Sequence, residues 1–416
     1  MNLLEDLEFR GLLYQNTDPE GLAARLQQGP VVLYNGFDPT ADSLHVGSLL
    51  PILVLRRFQQ AGHTPVALVG GGTGLIGDPS GKASERSLND QETVAGWTAR
   101  IRGQLEPFLD FQAGANAARL VDNYDWLSPL RAIELMRDIG KHFPLPYMLA
   151  KDSVASRLGS GISYAEFSYM ILQAYDFYKL NETCGCELQT GGSDQWGNIT
   201  AGADLIRRIS GRKVYGLTFP LITKGDGTKF GKTETGTVWL DAAKTTPYQF
   251  YQFWINTDDQ NTVPYLKYYT FLPKDDLLAL AEGVQREPGK REAQRVLARE
   301  VTTLVHGPAA ARQAEKISLA LFYGNVRELE ADEIEQGLGD VPTCVLAEEE
   351  IGLVELLVRA GVCPSKRQAR EDVQNGAIYL NGERCTTVDA TLRKSDGLHG
   401  KYLVLRRGKS KYFLVI

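Results

Sequence analysis

Val31-Val32-Leu33-Tyr34-Asn35-Gly36-Phe37-Asp38-Pro39-Thr40-Ala41-Asp42-Ser43-Leu44-His45-Val46-Gly47-Ser48 passes from apolar to polar and back to apolar. Val31, Val32 and Leu33 predict a strand, and Tyr34-Asn35-Gly36 breaks it. Pro39 keeps the next residues out of a helix. Asp42 or Ser43 is then expected to cap a helix running through Leu49, Leu50, Ile52, Leu53, Val54 and Leu55. A strand, a polar loop and a helix N-terminus form an anion site, because free backbone N–H groups and the helix dipole point at the loop. His45 and Gly47 fall in that first turn. A histidine can donate to a phosphate, and glycine lets a nucleotide approach the backbone closely. Alone, His45-Val46-Gly47-Ser48 reads more plainly as a helix start with an exposed histidine. Lys229-Phe230-Gly231-Lys232-Thr233 further along supplies a second signal. Two lysines three apart, on a stretch with four glycines between Lys224 and Gly236, suit a loop that closes on a polyphosphate.

On either side of the opening stretch the chain alternates. Two helical segments precede it, around Leu3 to Leu7 and Leu22 to Leu26, the second stopped by Gly29-Pro30. Pro65 to Val69 predicts a second strand and Ala118 to Val121 a third. Helices are expected over Gln91 to Phe108 and Pro129 to Lys141. This alternation argues for a parallel α/β sheet with ligands at the C-terminal ends of its strands. Gly81-Lys82 does not complete a Walker phosphate loop: Ile76 stands where the first glycine belongs, and Ala83 where Ser or Thr belongs. A helix is expected from Ser163 to Lys179. Its Tyr169, Gln173 and Asp176 lie at i, i+4 and i+7 and share one face. Phe167, Met170, Ile171, Leu172 and Phe177 make that helix apolar around much of its girth, so a carboxylate there needs partners. Cys186 to Thr190 predicts a strand opening into Gly191-Gly192-Ser193-Asp194-Gln195, then a helix from Ile199 to Ile209. Gly192 and Asp194 repeat the nucleotide-fold pairing of glycine with an acid for ribose hydroxyls. Leu217 to Ile222 leads into the lysine loop.

After Trp239 the pattern is helical to about Phe322, with Trp254, Tyr265, Tyr268, Tyr269 and Phe271 as expected core. Glu328 to Glu350 carries nine acidic residues and suits a linker. Beyond it, Leu353, Leu356, Leu357 and Ala360 predict a helix, and Ser365 starts a second one bearing Lys366, Arg367 and Arg370. Ile378-Tyr379-Leu380 runs into an Asn381-Gly382 hairpin turn.

With 416 residues the chain is expected to form two or three domains. Met1 to Asp6 is acidic where a targeting sequence would be basic, and no apolar run is long enough to span a membrane. Five cysteines suit a reducing cytoplasm, and Cys184-x-Cys186 lacks a nearby second pair, so no metal site is expected. Net charge is −6, yet Ile351 to Ile416 holds 12 Lys and Arg against 6 Asp and Glu. A basic tail on an acidic body suggests a localised nucleic-acid footprint.

Together, His45-Val46-Gly47-Ser48 and Lys229-Phe230-Gly231-Lys232-Thr233 resemble the His-Ile-Gly-His and Lys-Met-Ser-Lys-Ser motifs of class I aminoacyl-tRNA synthetases. The surrounding residues resemble the bacterial-type tyrosyl-tRNA synthetase family over nearly the whole chain. The tail resembles the small RNA-binding module shared by a ribosomal small-subunit protein and pseudouridine synthases. The resemblance implies a Rossmann-like catalytic domain over 1–220, a helical domain over 221–325, an acidic linker over 326–350 and an α/β RNA-binding domain over 351–416. It implies activation of L-tyrosine by ATP with Mg²⁺, transfer to tRNA(Tyr), no bound organic cofactor, and a homodimer. Positions matching Thr40, His45, Lys82, Arg86, Lys229 and Lys232 hold the departing pyrophosphate. Asp38, Gly47, Gly192 and Asp194 serve the nucleotide. Asp78, Tyr169 and Gln173 bind the tyrosine ammonium, Gln195 lies near the reacting carboxyl, and Tyr34 and Asp176 meet the phenol hydroxyl. Lys366, Arg367, Arg370, Arg406 and Arg407 are the expected tRNA contacts.

Tyr34 and Asp176 would be left unpaired by phenylalanine, synthetases for tyrosine being the known instance of such discrimination. Asn35, Ser48, Phe230, Gly231 and Thr233 depart from the commoner family residues, but both lysines remain. The alternatives are a tryptophanyl-tRNA synthetase, disfavoured by Tyr34, Asp176 and the tail, and a synthetase-derived RNA-binding regulator. The latter would be expected to lack His45 or the lysines.

Overall fold

The expected first strand forms as β2 in a six-stranded sheet, but Tyr34-Asn35-Gly36 does not break it: the strand runs through these residues, paired in parallel with Val66, Ala67 and Leu68. Its members are β1 (Gln15–Asn16), β2 (Val32–Phe37), β3 (Thr64–Val69), β4 (Arg119–Asp122), β5 (Cys186–Gly192) and β6 (Tyr215–Phe219). The computed structural model describes residues 2–80, 88–159, 161–222, 230–233 and 236–416, with the backbone alone at Lys232 and Thr233. The spatial order is β1-β6-β5-β2-β3-β4, all parallel except the two-residue edge strand β1. Every residue of β3 is buried, as expected of a strand covered on both faces. The chain leaves β2 toward β3 and β4, and later returns on the other side as β5 and β6. The order therefore reverses between β2 and β5, and a crevice opens at their C-terminal ends.

The helix after β2 spans Val46–Gln60, and its cap is His45 rather than Asp42 or Ser43. Those two are engaged elsewhere: Asp42 pairs with Arg100 and Lys244, and the Ser43 hydroxyl donates to the Leu44 carbonyl. The expected helix over Pro129 to Lys141 is broken into a short α turn (Ala132–Glu134), a wider π turn (Leu135–Ile139) and a 3₁₀ turn (Gly140–His142). Among these residues only Ile139 is buried, so no apolar stripe holds the segment straight. The helix carrying Tyr169 is longer than expected, Tyr164–Cys184, capped by the Ser163 side chain and ended by Gly185 at φ 65°. The helix after β5 starts earlier, at Trp196.

The chain divides into two compact units, Met1–Lys244 with Asp258–Ala293, and Thr245–Thr257 with Gln294–Ile416. The helical region is therefore shared between units, because chain segments sort by what they pack against rather than by sequence order. Trp254, Tyr265 and Tyr269 are core residues as expected, whereas Tyr268 and Phe271 are half-buried. The helix Glu292–Tyr323, which belongs to the second unit from Gln294 onward, is kinked at Gly307 (φ 85°), immediately before Pro308. A five-stranded sheet orders Glu383–Arg384, Ile378–Leu380, Leu403–Arg407, Lys411–Val415 and Thr343–Cys344 side by side. Asn381 and Gly382 both take positive φ, 49° and 87°, as the two-residue hairpin turn requires.

One face of that sheet packs Leu403, Leu405 and Val415 against Leu353, Leu357 and Val373 of the two expected helices. The other packs Val404 and Leu414 against Ile317, Leu321, Ile334 and Leu338. The expected acidic linker is thus corrected. It folds into the second unit as the helix Ala331–Leu338 and the strand Thr343–Cys344. Its other acids face outward, Glu333 is buried in an ion pair with Lys316, and Ile334 and Leu338, one helical turn apart, bury their side chains. Among the described residues no helix is long and apolar enough to cross a membrane.

Candidate active site

The crevice between β2 and β5 gathers polar side chains from five elements. Tyr34 and Asp38 come from β2 and its end, Thr73 and Asp78 from the loop after β3, and Asn123 from the end of β4. Tyr169, Gln173 and Asp176 come from the helix Tyr164–Cys184, and Asp194 and Gln195 from the loop after β5. Two hydrogen-bonded chains form. In the first, the Tyr169 hydroxyl donates to Asp38 Oδ2 at 2.6 Å and Thr73 Oγ1 donates to Asp38 Oδ1 at 2.7 Å. Asn123 Nδ2 donates to Thr73 Oγ1 and to Asp176 Oδ2, both at 2.9 Å, and Trp126 Nε1 donates to Asp176 Oδ1 at 2.7 Å. In the second, Gln195 Nε2 donates to Asp78 Oδ2 at 2.7 Å and Gln173 Nε2 donates to Gln195 Oε1 at 3.2 Å. Asn198 Nδ2 ties that chain to Gln173 Oε1 at 2.9 Å. The i, i+4, i+7 face read from the sequence therefore lines the crevice along its length.

Electrostatics at the floor are unusual. Burial pushes the Asp176 carboxyl up to about 8; the Asn123 and Trp126 hydrogen bonds lower it, and Asp38 and Asp122 raise it. Burial likewise pushes the Tyr34 phenol well up, with Asp176 adding to it. The Tyr169 phenol is raised by burial and then by Asp38 and Asp78. Among the described residues the Tyr34 hydroxyl has no hydrogen-bond partner although it is fully buried. An unpaired buried hydroxyl costs roughly 1–3 kcal/mol, so this one is suited to a polar atom brought in from outside. Nearer the mouth, Asp38, Asp78 and Asp194 give a field that favours a cation.

At the helix start, His45 Nδ1 accepts the Gly47 N–H at 3.0 Å, and the imidazole stands edge-on to Trp239 with centroids 6.3 Å apart. A Cβ at Gly47 would come within 2.7 Å of His45 Cε1, so the glycine is required by the ring. The second motif lies against the first. Gly231, at φ 80°, leaves no room for a Cβ, which would sit 2.5 Å from Val46 Cγ2. The Val46 N–H donates to the Val238 carbonyl, and the Val238 N–H to that of Gly231. Phe230 stacks on Tyr269 with ring centroids 5.6 Å apart. Thr40 is exposed and lines a cavity of about 250 Å³ with Asp38, Gly77 and Trp97. Lys82, Arg86 and Lys229 lie outside the described residues, as does the Lys232 side chain; the Lys232 backbone belongs to a short strand, Lys232–Thr233. A Cβ at Gly192 would meet Asp194 Oδ1 at 2.5 Å.

Thr73, Asn123, Trp126 and Asn198 escaped the sequence reading. Asn123 could have been found from its place directly after the third strand, where ligands are expected. The expected tRNA contacts do not form one surface. Lys366, Arg367 and Arg370 are exposed on the helix Lys366–Gln374. Arg407 faces that side and pairs with Asp372 at 2.8 Å, while Arg406, one residue earlier on a strand, faces the opposite side of the sheet.

Comparison with known proteins resolves the choice left by this geometry. Residues 26–323 match the family described as tRNA synthetases class I (W and Y), which covers both tryptophan and tyrosine enzymes. Residues 333–415 match the tyrosine–tRNA ligase SYY-like C-terminal domain. A tyrosine–tRNA ligase of Bacillus caldotenax is 61% identical over 416 residues, covering 100% of this chain and 99% of the relative. The chain belongs to the tyrosine–tRNA ligase family. Tyrosine–tRNA ligase 1 of Bacillus subtilis strain 168 is 59% identical over 417 residues, again covering 100% of this chain and 99% of its own length. Among solved structures, a C-terminally truncated mitochondrial tyrosyl-tRNA synthetase of Aspergillus nidulans aligns with a TM-score of 0.71. It is 31% identical and covers 77% of this ligase and 94% of its own chain. A tryptophanyl-tRNA synthetase of Encephalitozoon cuniculi, 15% identical with a TM-score of 0.55 and covering 75% and 87% of the two chains, shares the fold. The tryptophan and regulator readings are not favoured.

Proposed function

We propose that this ligase joins L-tyrosine to tRNA(Tyr) in two steps. In the first, a carboxylate oxygen of tyrosine attacks the α-phosphorus of ATP. The bond to the β-phosphate oxygen breaks, and pyrophosphate leaves with the electron pair. In the second, a terminal ribose hydroxyl of the tRNA attacks the acyl carbon and AMP leaves. Such chemistry asks chiefly for positioning and charge neutralisation. Asp78, Tyr169 and Gln173 take the ammonium, Gln195 lies by the carboxyl, and Asp38, Gly192 and Asp194 take the ribose and nucleotide. Thr40, His45, Lys82, Arg86, Lys229 and Lys232 neutralise the departing pyrophosphate. Mg²⁺ enters with ATP as part of the substrate.

The observation that carries the amino-acid choice is the floor of the crevice. There, among the described residues, the buried Tyr34 hydroxyl has no partner and the buried Asp176 carboxyl acts on it, which suits a ligand that brings a polar atom deep into the crevice. Pyrophosphate exchange assayed separately with tyrosine, tryptophan and phenylalanine tests it; exchange with tryptophan equal to that with tyrosine would overturn the reading. The exposed cations of the helix Lys366–Gln374 support tRNA binding by the tail. Homodimer formation is supported by exposed large apolar side chains in the first unit, including Ile133 (72% exposed), Met136, Leu145 and Leu158. Free thiols at all five cysteines are in keeping with a cytoplasmic enzyme.

A further inference from the structure

The second unit's sheet carries a row of side chains that its sequence order conceals. Register places Tyr379 opposite Arg384 on one neighbouring strand and opposite Arg406 on the other, and Arg406 opposite Tyr412. The four residues thus alternate cation and ring across four adjacent strands. The Arg406 guanidinium lies 4.1 Å from the Tyr379 ring centroid and 5.9 Å from that of Tyr412. The Arg384 guanidinium lies 5.5 Å from the Tyr379 centroid and donates to its hydroxyl at 3.0 Å. Tyr412 is fixed from behind, its hydroxyl donating to the Leu321 carbonyl. Arg384 is exposed, and Tyr379 and Arg406 are half-exposed.

Stacking without a counter-ion sets this row apart. Arg359, Arg393, Lys401 and Arg407 of the same module each hold a carboxylate. Among the described residues neither Arg384 nor Arg406 is ion-paired to one. Their planes are instead fixed by stacking, which lowers the entropy lost when a guanidinium binds a planar or bidentate partner. Cations ordered without a counter-ion, beside an aromatic ring, match what unpaired RNA offers: a phosphate for the guanidinium and a base face for the ring or guanidinium plane. Paired RNA buries its base faces and offers no such match.

We propose that the Arg384–Tyr379–Arg406 row is a stacking site for unpaired nucleotides of the bound tRNA, on the sheet face opposite the basic helix. This rests on the reading of the tail as a tRNA-binding module. The RNA would then contact the module on two sides, at the exposed helix cations and at the row.

The test uses the full-length ligase and a tRNA(Tyr) transcript. Tyr379→Leu should weaken binding about fivefold or more, the span of losing one base stack. Tyr379→Phe, which keeps the ring, should bind much more tightly than Tyr379→Leu. Arg384→Gln should weaken binding and make the salt slope shallower by about 0.7, one single-strand phosphate contact. Arg384→Lys, which keeps charge but loses the plane, should not restore binding. Melting temperature and tyrosine-dependent pyrophosphate exchange should stay at wild-type values in all four. A double variant on the helix, Arg367→Gln with Arg370→Gln, separates the two readings. If it weakens binding while the row variants bind as wild type, the row proposal fails and the tail reading stands. If no variant weakens binding, both fail. Full binding by Arg384→Lys would reduce the row to simple charge and overturn stacking.

Discussion

Replacing Asp176 by Asn tests the floor of the crevice in two independent ways. The carboxyl accepts from both Asn123 and Trp126. An amide has one oxygen, so its NH₂ must face one of those donors and a hydrogen bond is lost. Leaving a buried donor unpaired costs roughly 1–3 kcal/mol, and tyrosine activation should fall about fivefold or more. KM for ATP should change little, because the nucleotide groups lie nearer the mouth. The second consequence concerns stability. With its carboxyl raised from 3.8 to about 8, the folded protein keeps a proton that the unfolded chain releases. Stability from this site is therefore full below the unfolded value, declines as pH rises through the window up to about 8, and is level above it. Inside the window the decline is about 1.4 kcal/mol per pH unit. The Asn variant lacks it, so the two proteins should differ in slope, not only in level, when urea midpoints are followed between pH 5 and 9. Parallel slopes would mean that the carboxyl is not held neutral. Unchanged tyrosine kinetics would refute its place in amino-acid selection.

Other expectations follow from single contacts. Gly47→Ala should push the His45 ring aside and lower the activation rate while tyrosine affinity, from equilibrium binding, stays within about twofold. Lys232→Ala should lower the activation rate about 10²–10³-fold with little change in tyrosine affinity, as for loss of one preorganised donor; normal turnover with a raised KM would contradict its role. Ending the chain after Asp340 should abolish tRNA charging but spare pyrophosphate exchange, since every activation residue lies in the first unit. The same cut strips Tyr402, Val404 and Leu414 from Ile317, Leu321, Ile334 and Leu338, so light scattering should reveal aggregation on warming. Ile133→Glu combined with Leu145→Glu should shift the sedimentation coefficient to that of a monomer; an unchanged value would place any dimer contact elsewhere.

Local signals were sufficient wherever chemistry and periodicity coincide. Strand β2, the following helix, the face shared by Tyr169, Gln173 and Asp176, and the Asn381-Gly382 turn could all be read from residues adjacent in sequence or one helical turn apart. That is because backbone propensity, side-chain period and glycine's access to positive φ act over a few residues. The two motifs at His45 and Lys229 could be paired by resemblance before any geometry was known. Tertiary structure alone decided matters that depend on partners distant in the chain. It made His45 the helix cap by drawing Asp42 to Lys244 and Arg100. It raised Asp176 by burying it, against the lowering effect of hydrogen bonds from Asn123 and Trp126, 53 and 50 positions away along the chain. It folded an acidic stretch that reads as linker, because Ile334 and Leu338 found an apolar face supplied by two other segments. Strand alternation also sent Arg406 and Arg407 to opposite sides of a sheet whose register no local pattern specifies. Burial, field and register are properties of what surrounds a residue, and those surroundings exist only once the chain has folded.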